Sequence, residues 1–439
     1  MSDSAVWSSW SSWSGIESCV PARVVAPRST GELQQCVREA VRDGLRVKAV
    51  GAGHSFTGAA VSPGVQVRLT EMSDLVSVDH RTGLVTVQAG MPLHRLNPLL
   101  AEHRLAFENL GDIDRQTVAG AIATGTHGTG ALLPGLAAQV AALEIVLADG
   151  SVVQCSASKR ADLFAAARVS VGALGIVSAV TLQCVPAFAL HARERPMPLP
   201  DVLAGLDELA SSHDHFEFYW FPHTDRTLTK CNDRVGPEVP WNPLPRWRFL
   251  LDDEVLSNGV FAATNRLCAW RPGLTRVVNA VASRALGARE YVDASYKVFV
   301  SPRRVRFNES EYNLPREAVG DVLAELTSWV DRHDERIPFP VEVRFAAADD
   351  IWLSTAYQRE SAYVAVHQNP RMRRAPYFAA FEAIAKAAGG RPHWGKLHTQ
   401  DSGQLRELYP RFDDFLAVRE RLDPARVFAN AYLDQILGR

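Results

Sequence analysis

The sequence predicts an α+β protein with more than one domain. Its 439 residues suffice for two or three domains, and the 47% hydrophobic and 22% charged fractions are ordinary for a globular protein. The first part of the chain alternates β-branched runs with amphipathic segments. Near residue 187 the pattern changes to mixed strands and helices with more proline and aromatic residues. Together these observations indicate an N-terminal domain of alternating elements and a second domain of different composition.

The elements of the first part follow one another regularly. "RVVAP" predicts a strand, and "STGELQQCVREAVRDG" predicts a helix because Ser29 precedes Glu32 by three residues and Gly44 follows the last turn. The runs "RVKAVG", "VQVRLT", "LVSVDH" and "LVTVQAG" are separated by turn residues and predict further strands. "MPLHRLNPLLAEHRL" has the spacing of an amphipathic helix.

The second part mixes helices and strands around irregular loops such as "GPEVPWNPLPRW". "VLAELTSWVDRH" and "FAAFEAIAKAAG" predict helices, whereas "PVEVRFAAAD" and "AYVAVHQ" predict strands. The stretch "LRELYPRFDDFLAVRERLDPARVFANAYLDQIL" is helical with a proline break. No internal repeat is found, and Trp7, Trp10 and Trp13, three residues apart, are interpreted as a terminal arm packed on the surface.

Charge and cysteine content narrow the class of protein. The formal net charge of −2 gives no indication of a nucleic-acid partner. The six cysteines contain no C-x-x-C pair, which argues against a zinc cage or a disulfide framework and favours reduced thiols in a cytoplasmic protein. The N-terminal stretch lacks the features of a secretory signal, and no apolar run is long enough to span a bilayer.

Two glycine-rich segments are candidate ligand-binding turns. In "VKAVGAGHSFTG", residues 47–58, a strand leads into a turn with Gly51 and Gly53, where the backbone can approach a ligand closely. The turn also carries the nucleophilic imidazole of His54. In "GDIDRQTVAGAIATGTHGTG", residues 111–130, glycines alternate with threonines and offer backbone N–H and hydroxyl donors for an anion.

Neither segment has a familiar nucleotide-binding fingerprint. "GAGHSF" places Phe56 where the third glycine of a Rossmann turn belongs, and Gly395-Lys396 is followed by Leu397 rather than by the hydroxyl residue of a Walker loop. One such turn alone is more often a plain strand-to-helix turn. Two turns that each carry a histidine, in a domain of alternating elements, favour a dinucleotide site.

The segments "VGAGHSF", "TVAGAIATGTHGTG", "VSVGALGIV", "VEVR", "RPHWGK" and "LDPARVFANAYL" occur in this order along nearly the whole chain. Their order and spacing resemble the sugar-1,4-lactone oxidases of the vanillyl-alcohol-oxidase superfamily, and among them the actinobacterial L-gulono-1,4-lactone dehydrogenase type. The resemblance implies a two-domain α+β fold of vanillyl-alcohol-oxidase type. It would have a PCMH-type FAD-binding domain over residues 15–187, a cap domain on an antiparallel sheet over 188–395, and a C-terminal segment, 396–439, returning to the FAD domain.

The resemblance also implies an FAD site. His54 would be bonded covalently to the flavin methyl carbon; the alternative is a histidine that only hydrogen-bonds within the turn. His393 would approach the flavin. By the same likeness the pyrophosphate would be lined by Val50, Gly51, Ala52, Gly53, Ser55 and Phe56. The phosphates, ribityl chain and ring would be contacted by Thr117, Gly120, Thr124, Gly125, His127 and Gly128. Gly175, Ile176 and Val177 would hold the adenine end, although "GALGIV" alone suits a turn in the core.

The substrate side rests on "PVEVRF". Glu342 and Arg344 are two residues apart and therefore share one face of a strand, where they can pin hydroxyl groups by charge-assisted hydrogen bonds. From spacing alone, a surface cross-strand ion pair is the better interpretation of these two residues. The resemblance instead favours the substrate site. By the same likeness, His367 and Lys396 would supply further substrate contacts.

The implied reaction is hydride transfer from a secondary hydroxyl carbon of a sugar-1,4-lactone to flavin N5, with O2 or another acceptor reoxidising the flavin. Lys396 and Arg344 would stabilise the developing alkoxide, and Glu342 would orient the hydroxyls or accept the proton. With L-gulono-1,4-lactone the product would tautomerise to ascorbate. The expected partners are this lactone or a polyol and a redox acceptor, with no metal, in the cytoplasm; oligomeric state, preferred substrate and acceptor stay open.

Three alternatives are kept. An alditol oxidase would share the Glu-x-Arg pair but is expected to carry a smaller hydroxyl residue in place of His367. A zinc hydrolase would use His393 and His398, whose spacing of five differs from the four preferred on a helix. A non-catalytic flavin-binding module would need neither the Glu-x-Arg pair nor the "HWGK" segment.

Overall fold

The computed structural model describes residues 9–439. Two groups of sheets make up the fold: several small sheets before residue 187, and one eight-stranded sheet after it. The structure therefore confirms the predicted α+β class with a large antiparallel sheet in the second part. Trp7 lies outside the described residues.

From residue 9 onward, twelve strands and four α-helices form the first part. The strands β1 to β12 are Trp10–Ser11, Ser18–Cys19, Arg23–Val25, Val47–Val50, Val65–Arg68, Leu75–Asp79, Leu84–Gln88, Leu105–Ala106, Val140–Val146, Val152–Ser156, Ile176–Gln183 and Val185–Pro186. The helices α1 to α4 are Thr30–Arg42, Leu93–Glu102, Val118–Ala123 and Ala161–Ala167. Short 3-10 turns cover Gly58–Ala60, Leu69–Glu71 and Leu136–Gln139.

The first glycine turn follows β4, a strand of a small parallel sheet. Its strand order is β3-β5-β4, and α1 is the crossover between β3 and β4. The predicted start of α1 is confirmed, because the Ser29 side chain accepts a hydrogen bond from the N–H of Glu32. Leu33, Val37 and Ala40 are buried and pack α1 against this sheet. The first glycine turn therefore follows a strand that is held firmly in place.

The second glycine segment is held beside an antiparallel sheet of order β10-β9-β11-β7-β6. Within that segment, α3 begins after Thr117, whose hydroxyl accepts from the N–H of Gly120. Val118, Ala121 and Ile122 of α3 are buried in the main hydrophobic core. Packing of α3 therefore leaves the threonine and glycine side of the segment facing the first glycine turn.

The second part is built on one antiparallel sheet. Its strands β13 to β20 are Ala189–Pro198, His215–Trp220, Arg226–Val235, Arg289–Ala294, Asn308–Pro315, Val341–Ala346, Ser361–Gln368 and Arg391–Pro392, in the order β16-β13-β15-β14-β18-β19-β17-β20. The helices α5 to α12 are Leu199–Ala204, Leu206–Ser212, Arg246–Phe249, Phe261–Trp270, Thr275–Arg284, Ser295–Phe299, Val319–Arg332 and Ala375–Ala387. A π-helical stretch, Leu250–Val260, joins α7 to α8. Short 3-10 turns cover Pro272–Leu274 and Arg316–Ala318.

The large sheet separates an apolar layer from a polar one. Phe216, Val343 and Val364 belong to a buried cluster that includes residues of α11 and α12. Because neighbouring side chains on a strand point to opposite faces, Glu342 and Arg344 on β18 face the other way. The polar face of the sheet therefore carries buried charged groups.

The C-terminal helices pack on the first part of the chain. Helices α13 to α15 are Ser402–Leu408, Phe412–Leu422 and Ala431–Leu437. Asn430 caps α15 and donates its side-chain N–H groups to the carbonyls of Gly58 and Val61, both at 2.9 Å. The N–H of Val47 on β4 donates to the carbonyl of Val427. These bonds tie residues 427–430 to the first glycine turn.

All six cysteines lie in the described part of the chain and none is bonded to another. Within residues 9–439, the search for a helix with the length and apolarity needed to cross a membrane finds none.

Candidate active site

A long cleft runs between the two glycine segments. It encloses about 1080 Å³ of empty space, part of it open to solvent. Among the residues singled out from the sequence, those lining it are Val50, Gly51, Ala52, Gly53, His54, Ser55, Thr117, Gly120, Thr124, Gly175, Ile176 and Val177. The structure therefore brings three separate stretches of the sequence to one elongated site.

The backbone of the first turn suits a phosphate-bearing ligand. The N–H groups of Ala52, Gly53, His54 and Ser55 donate to no other group of residues 9–439, and a run of such donors is an anion-binding arrangement. Gly53 has φ +71°, and a Cβ on Gly51 would lie 2.5 Å from the Thr117 hydroxyl oxygen. The chain thus leaves room for a ligand where side chains would fill the cleft, and FAD fits this site.

His54 stands where the cleft meets a second cavity. It lines both spaces, together with Ser55, Gln116 and Thr124. Burial, with smaller contributions from Lys396 and Arg115, lowers the pKa of His54 to about 4. The imidazole is therefore neutral at neutral pH and keeps a lone pair for bonding.

Trp10 and Trp13 are not merely packed on the surface, which corrects the prediction from the sequence for these two residues. Trp10 lines the long cleft, and its indole lies 3.3 Å from the position of a Cβ on Gly53. Trp13 lines the second cavity and stacks on His54 with a centroid distance of 5.6 Å. Spacing alone did not reveal that this arm folds back over the glycine turn.

The second cavity lies between the first part of the chain and the polar face of the large sheet. It encloses about 610 Å³ of empty space. Its charged and imidazole-bearing lining residues are His54, Asp112, His127, Glu309, Glu311, Arg344, His393 and Lys396. Trp13, Phe56 and Phe307 supply aromatic walls. A small polyhydroxylated molecule suits a space with this mixture of fixed charges and rings.

Several residues predicted to contact the cofactor do not line the long cleft. Phe56, His127 and His393 line the second cavity rather than the long cleft. Gly125 and Gly128 are not among the described residues that line either space. Gly128 is instead needed for packing, because a Cβ there would lie 2.3 Å from the side-chain oxygen of Asn109.

Arg344 is the centre of the first charge cluster. Its Nε donates to Glu217 at 2.9 Å, and its Nη2 contacts Glu342 and lies 3.2 Å from Asp112. Glu342 also accepts a hydrogen bond from the Tyr219 hydroxyl at 2.8 Å. Glu342 and Arg344 are only 5% and 8% exposed, so the surface ion pair favoured by spacing is excluded.

The pKa values of two carboxyl groups in this cluster, Asp112 and Glu342, are shifted in opposite directions. Burial opposes ionisation of Asp112, but Arg344 and Arg303 outweigh it and hold its pKa well below the usual range. For Glu342, burial outweighs Arg344 and raises the pKa. Of the two carboxyl groups, Glu342 therefore takes up a proton more readily than Asp112.

Lys396 and two glutamates form the second charge cluster. Glu309 and Glu311 lie two residues apart on β17, and Lys396 Nζ contacts Glu309 and lies 3.8 Å from Glu311. His367 Nε2 is 3.5 Å from Glu309, but His367 is not among the described residues lining the cavity. Burial disfavours the ammonium of Lys396, yet Glu309 and Glu311 raise its pKa, so Lys396 stays charged.

Two histidines complete this cluster. His127 Nδ1 lies 2.9 Å from the Gly128 carbonyl and Nε2 lies 3.0 Å from Glu311, so both ring nitrogens face acceptors. His393 Nδ1 accepts from the N–H of Gly395, and burial lowers the pKa of His393 to about 4. Neutral His393 therefore carries its proton on Nε2 and acts as a donor.

His127, Glu311 and His393 have ligand atoms within 4.8 Å of one another, the donor types of a metal site. A divalent ion there would stand beside the ammonium of Lys396, which already pairs with Glu311. The structure also argues against the zinc hydrolase alternative, because His398 is hydrogen-bonded to Tyr432 and is not part of this group. We interpret the group as part of the charge cluster.

The sequence analysis missed five charged groups of the two clusters. Asp112, Glu217, Arg303, Glu309 and Glu311 were not singled out. Glu309 and Glu311 show the same i, i+2 alternation as Glu342 and Arg344, and that signal was available in "NESEYN". Asp112, Glu217 and Arg303 come from separate segments, and no local pattern connects them.

A nucleotide-sized cleft opening onto a cavity with paired acids and bases defines a flavin-dependent oxidoreductase. Comparison of the sequence with known families agrees. Residues 180–436 match the D-arabinono-1,4-lactone oxidase family, and residues 21–156 match the FAD-binding domain family. The chain belongs to the family of FAD-dependent sugar-1,4-lactone oxidases and dehydrogenases.

Individual relatives span almost the whole chain. L-gulono-1,4-lactone dehydrogenase of Mycobacterium tuberculosis H37Rv is 43% identical, over 99% of this chain and 100% of the relative. L-gulonolactone oxidase of Bos taurus is 35% identical, over 95% and 96%. Alditol oxidase of a Streptomyces species is 31% identical, over 88% and 89%. Among solved structures, cholesterol oxidase from B. sterolicum shares the fold, with a TM-score of 0.82 at 17% identity over 98% and 96% of the two chains.

Proposed function

We propose that the protein oxidises a secondary hydroxyl of a sugar-1,4-lactone of the L-gulono- or D-arabinono-1,4-lactone type. The observation that carries this proposal is the meeting of the two spaces at His54, with a cofactor cleft on one side and fixed acid–base pairs on the other. Relatives named as lactone oxidases and dehydrogenases support the substrate class.

FAD, when bound, supplies the ring that accepts the hydride. We assign its diphosphate to the unpaired N–H groups of Ala52–Ser55, because these donors face the cleft and no basic side chain is needed there. Thr117 adds a hydroxyl donor to the cleft, whereas the Thr124 hydroxyl already donates to the carbonyl of Gly120 at 3.1 Å. The backbone of Gly175–Val177 lines another part of the cleft and is assigned to the adenine end.

The substrate is assigned to the second cavity. Lys396 and Arg344 are fixed cations in its wall, and they stabilise the negative charge that develops on the reacting oxygen. Glu309 and Glu311 accept hydrogen bonds from other hydroxyls of the lactone. Glu342 is not among the described residues that line this cavity, and it acts through Arg344, which it holds in place.

We further propose that His54 is bonded to the flavin. Its neutral imidazole lines both the long cleft and the second cavity. The bond would replace the N–H proton of the imidazole and one hydrogen of the flavin methyl group, and the two electrons released would pass to an acceptor such as O2. Trp13, stacked on His54, holds the imidazole in one orientation.

Acid precipitation of the purified protein tests the covalent bond. The wild-type pellet is expected to be yellow and to show the mass of FAD in addition to that of the chain. His54→Ala is expected to release its flavin to the supernatant, whereas His80→Ala, a change at an exposed position, retains it. A colourless wild-type pellet over a yellow supernatant would leave FAD in the cleft and remove the covalent role of His54.

Substrate assays separate the remaining alternatives. L-gulono-1,4-lactone or D-arabinono-1,4-lactone is expected to bleach the bound flavin under anaerobic conditions faster than xylitol does. The alditol oxidase alternative rests on the 31% identical relative, and a preference for xylitol would favour it. Bleaching by neither class of compound would indicate a flavin-binding module without this activity.

A further inference from the structure

A buried lysine, Lys48, belongs to the wall of the long cleft. It lies on β4, the strand that leads into the first glycine turn, and it is only 3% exposed. Within residues 9–439 the lysines that form ion pairs are Lys230, Lys297 and Lys396. Lys48 is therefore a buried basic group that faces a ligand site without a carboxylate beside it.

Three backbone carbonyls take the place of a carboxylate. The Nζ atom of Lys48 lies 3.3 Å from each of the carbonyl oxygens of Val171, Gly172 and Phe428. These three residues also line the cleft, and they come from two distant stretches of the chain. An ammonium group has three N–H donors and can bond all three carbonyls, whereas a neutral amine has only two. The charged form of Lys48 therefore joins two separate parts of the cleft wall.

The turn that Lys48 contacts has a strained backbone. Val171 has φ +50° and Gly172 has φ +66°. A positive φ in a β-branched residue is a rare conformation, and such strain is frequent in segments that clamp a ligand. Val171 is buried, and its N–H donates to the carbonyl of Ala123 at the end of α3. The strained turn, whose residues 170–172 carry no charged side chain, directs two consecutive carbonyls to one nitrogen.

The charged groups around Lys48 do not balance its charge. Burial, followed by Arg419 of α14, lowers the pKa of Lys48 to about 7, and Asp423 opposes this shift. The carboxylate of Asp423 accepts hydrogen bonds from two backbone N–H groups instead. On the neighbouring strand β5, the residue opposite Lys48 is the uncharged Gln66, which is bonded to Arg68. An anion in the cleft would therefore favour the charged form of Lys48.

We propose that Lys48 is a cofactor-positioning residue that takes up one proton from solvent when FAD binds. The lone pair of the neutral Nζ accepts this proton, and nothing is oxidised or reduced. The negative diphosphate of FAD favours the ammonium, which then holds the Val171–Gly172 turn and residue 428 more firmly in the cleft wall. The proposal rests on the assignment of FAD to this cleft, but it depends neither on the lactone nor on a covalent bond to His54.

Reversible binding of FAD at different pH values tests the proposal. The full chain with His54→Ala is used because its flavin can exchange, and the change in flavin fluorescence gives the Kd between pH 6 and pH 9. Because a proton is taken up, the Kd is expected to rise with pH, by up to about tenfold per unit above pH 7. With Lys48→Met added, the Kd is expected to be nearly constant and at least about tenfold higher at pH 6.

A matched control and a direct proton count complete the test. Lys159→Met, a change at an exposed position, should keep the pH dependence. Calorimetric titration with FAD at pH 8, in phosphate and in Tris buffer, measures the protons taken up, because the two buffers differ in their enthalpy of ionisation. We expect the chain with Lys48 to take up about one proton more than the chain with Lys48→Met.

Two results would overturn the proposal. Equal proton uptake by the two chains, or a pH dependence that survives Lys48→Met, would reject it while FAD stays in the cleft. Absence of FAD binding in every chain would reject the assignment of the cofactor as well. Melting temperatures show whether Lys48→Met is folded. If it is not, Lys48→Arg decides, because its charge is constant: a Kd independent of pH is expected, and the original pH dependence would reject the proposal.

Discussion

Arg344 brings together carboxylates from three distant stretches of the chain. Glu217, Glu342 and Asp112 all lie within ion-pair distance of its guanidinium. The guanidinium is planar and carries five N–H donors, so it can bond several acceptors at once in a fixed geometry. A lysine ammonium on a flexible stem cannot hold them in that geometry. Arg344 also lines the second cavity, so its orientation links the buried cluster to the site proposed for the lactone.

Arg344→Lys keeps the charge and removes the fork. We expect kcat/KM for the lactone to fall about 10- to 100-fold, because one charge-assisted hydrogen bond contributes about 1.5–3 kcal/mol. Steady-state kinetics measures the change. Arg193→Lys is the control, since Arg193 pairs with Asp233 outside both cavities. An unaltered kcat/KM in Arg344→Lys would rule out the proposed role of the fork.

Neutral buried histidines make stability depend on pH. Burial is the main cause that lowers the pKa values of His54, His223, His393 and His398 to about 4. In the unfolded chain these groups titrate near about 6.5, so between pH 6.5 and 4 the unfolded state binds more protons. The free energy of unfolding is therefore expected to fall as the pH is lowered through this window.

Thermal unfolding at successive pH values measures the effect. The melting temperature is expected to fall by several degrees from pH 6.5 to pH 4 in wild type. His223→Asn, which suits the positive φ of that position, is expected to flatten this slope. His80→Asn, on the surface, should leave it unchanged. Equal slopes in His223→Asn and wild type would mean that His223 does not titrate as its burial indicates.

At the scale of elements, much of the fold follows from local patterns. The strands around the first turn and the start of α1 are as predicted, because β-branched runs and the Ser29 cap act within a few residues. The paired side chains of β18 were also predictable from alternation. The sequence did not predict that residues of β17 and β18 and residue 112 would line one cavity, because this depends on how distant elements pack.

The first glycine turn can be tested as an element. Gly51→Ala would set a Cβ 2.5 Å from the Thr117 hydroxyl oxygen. We expect at least about a tenfold loss of flavin affinity, as with other clashes in a packed site. Gly320→Ala is the control: no atom lies within 4 Å of its Cβ, and the change is expected to stabilise α11 by about 0.5–1 kcal/mol. Full flavin occupancy in Gly51→Ala would show that the turn is not the diphosphate site.

At the scale of the whole molecule, residues 427–430 join the C-terminal helices to the cofactor cleft. Phe428 lines the cleft, and its carbonyl accepts from Lys48 Nζ at 3.3 Å. Burial lowers the pKa of Lys48 to about 7, and its Nζ is held by three backbone carbonyls. The sequence suggested only that this segment returns to the first part; the contacts identify Asn430 and Lys48 as its attachment points.

Asn430→Ala is expected to loosen this attachment. It removes bonds to Gly58 and Val61 and the cap of α15, and we expect a loss of about 1–3 kcal/mol in the free energy of unfolding. Flavin content should fall with it. Ser29→Ala removes a comparable cap from α1 and is expected to lower stability without a loss of flavin. Equal flavin content in both variants would contradict a role of residue 430 in closing the cleft.

The same attachment orders events during synthesis of the protein. Asn430 leaves the ribosome 372 residues after Gly58, to which it is bonded in the folded chain. A nascent chain that stops before residue 427 lacks Phe428, which lines the cleft, and the bonds of Asn430 to Gly58 and Val61. We therefore expect the yellow cofactor to be retained only after this segment has been translated.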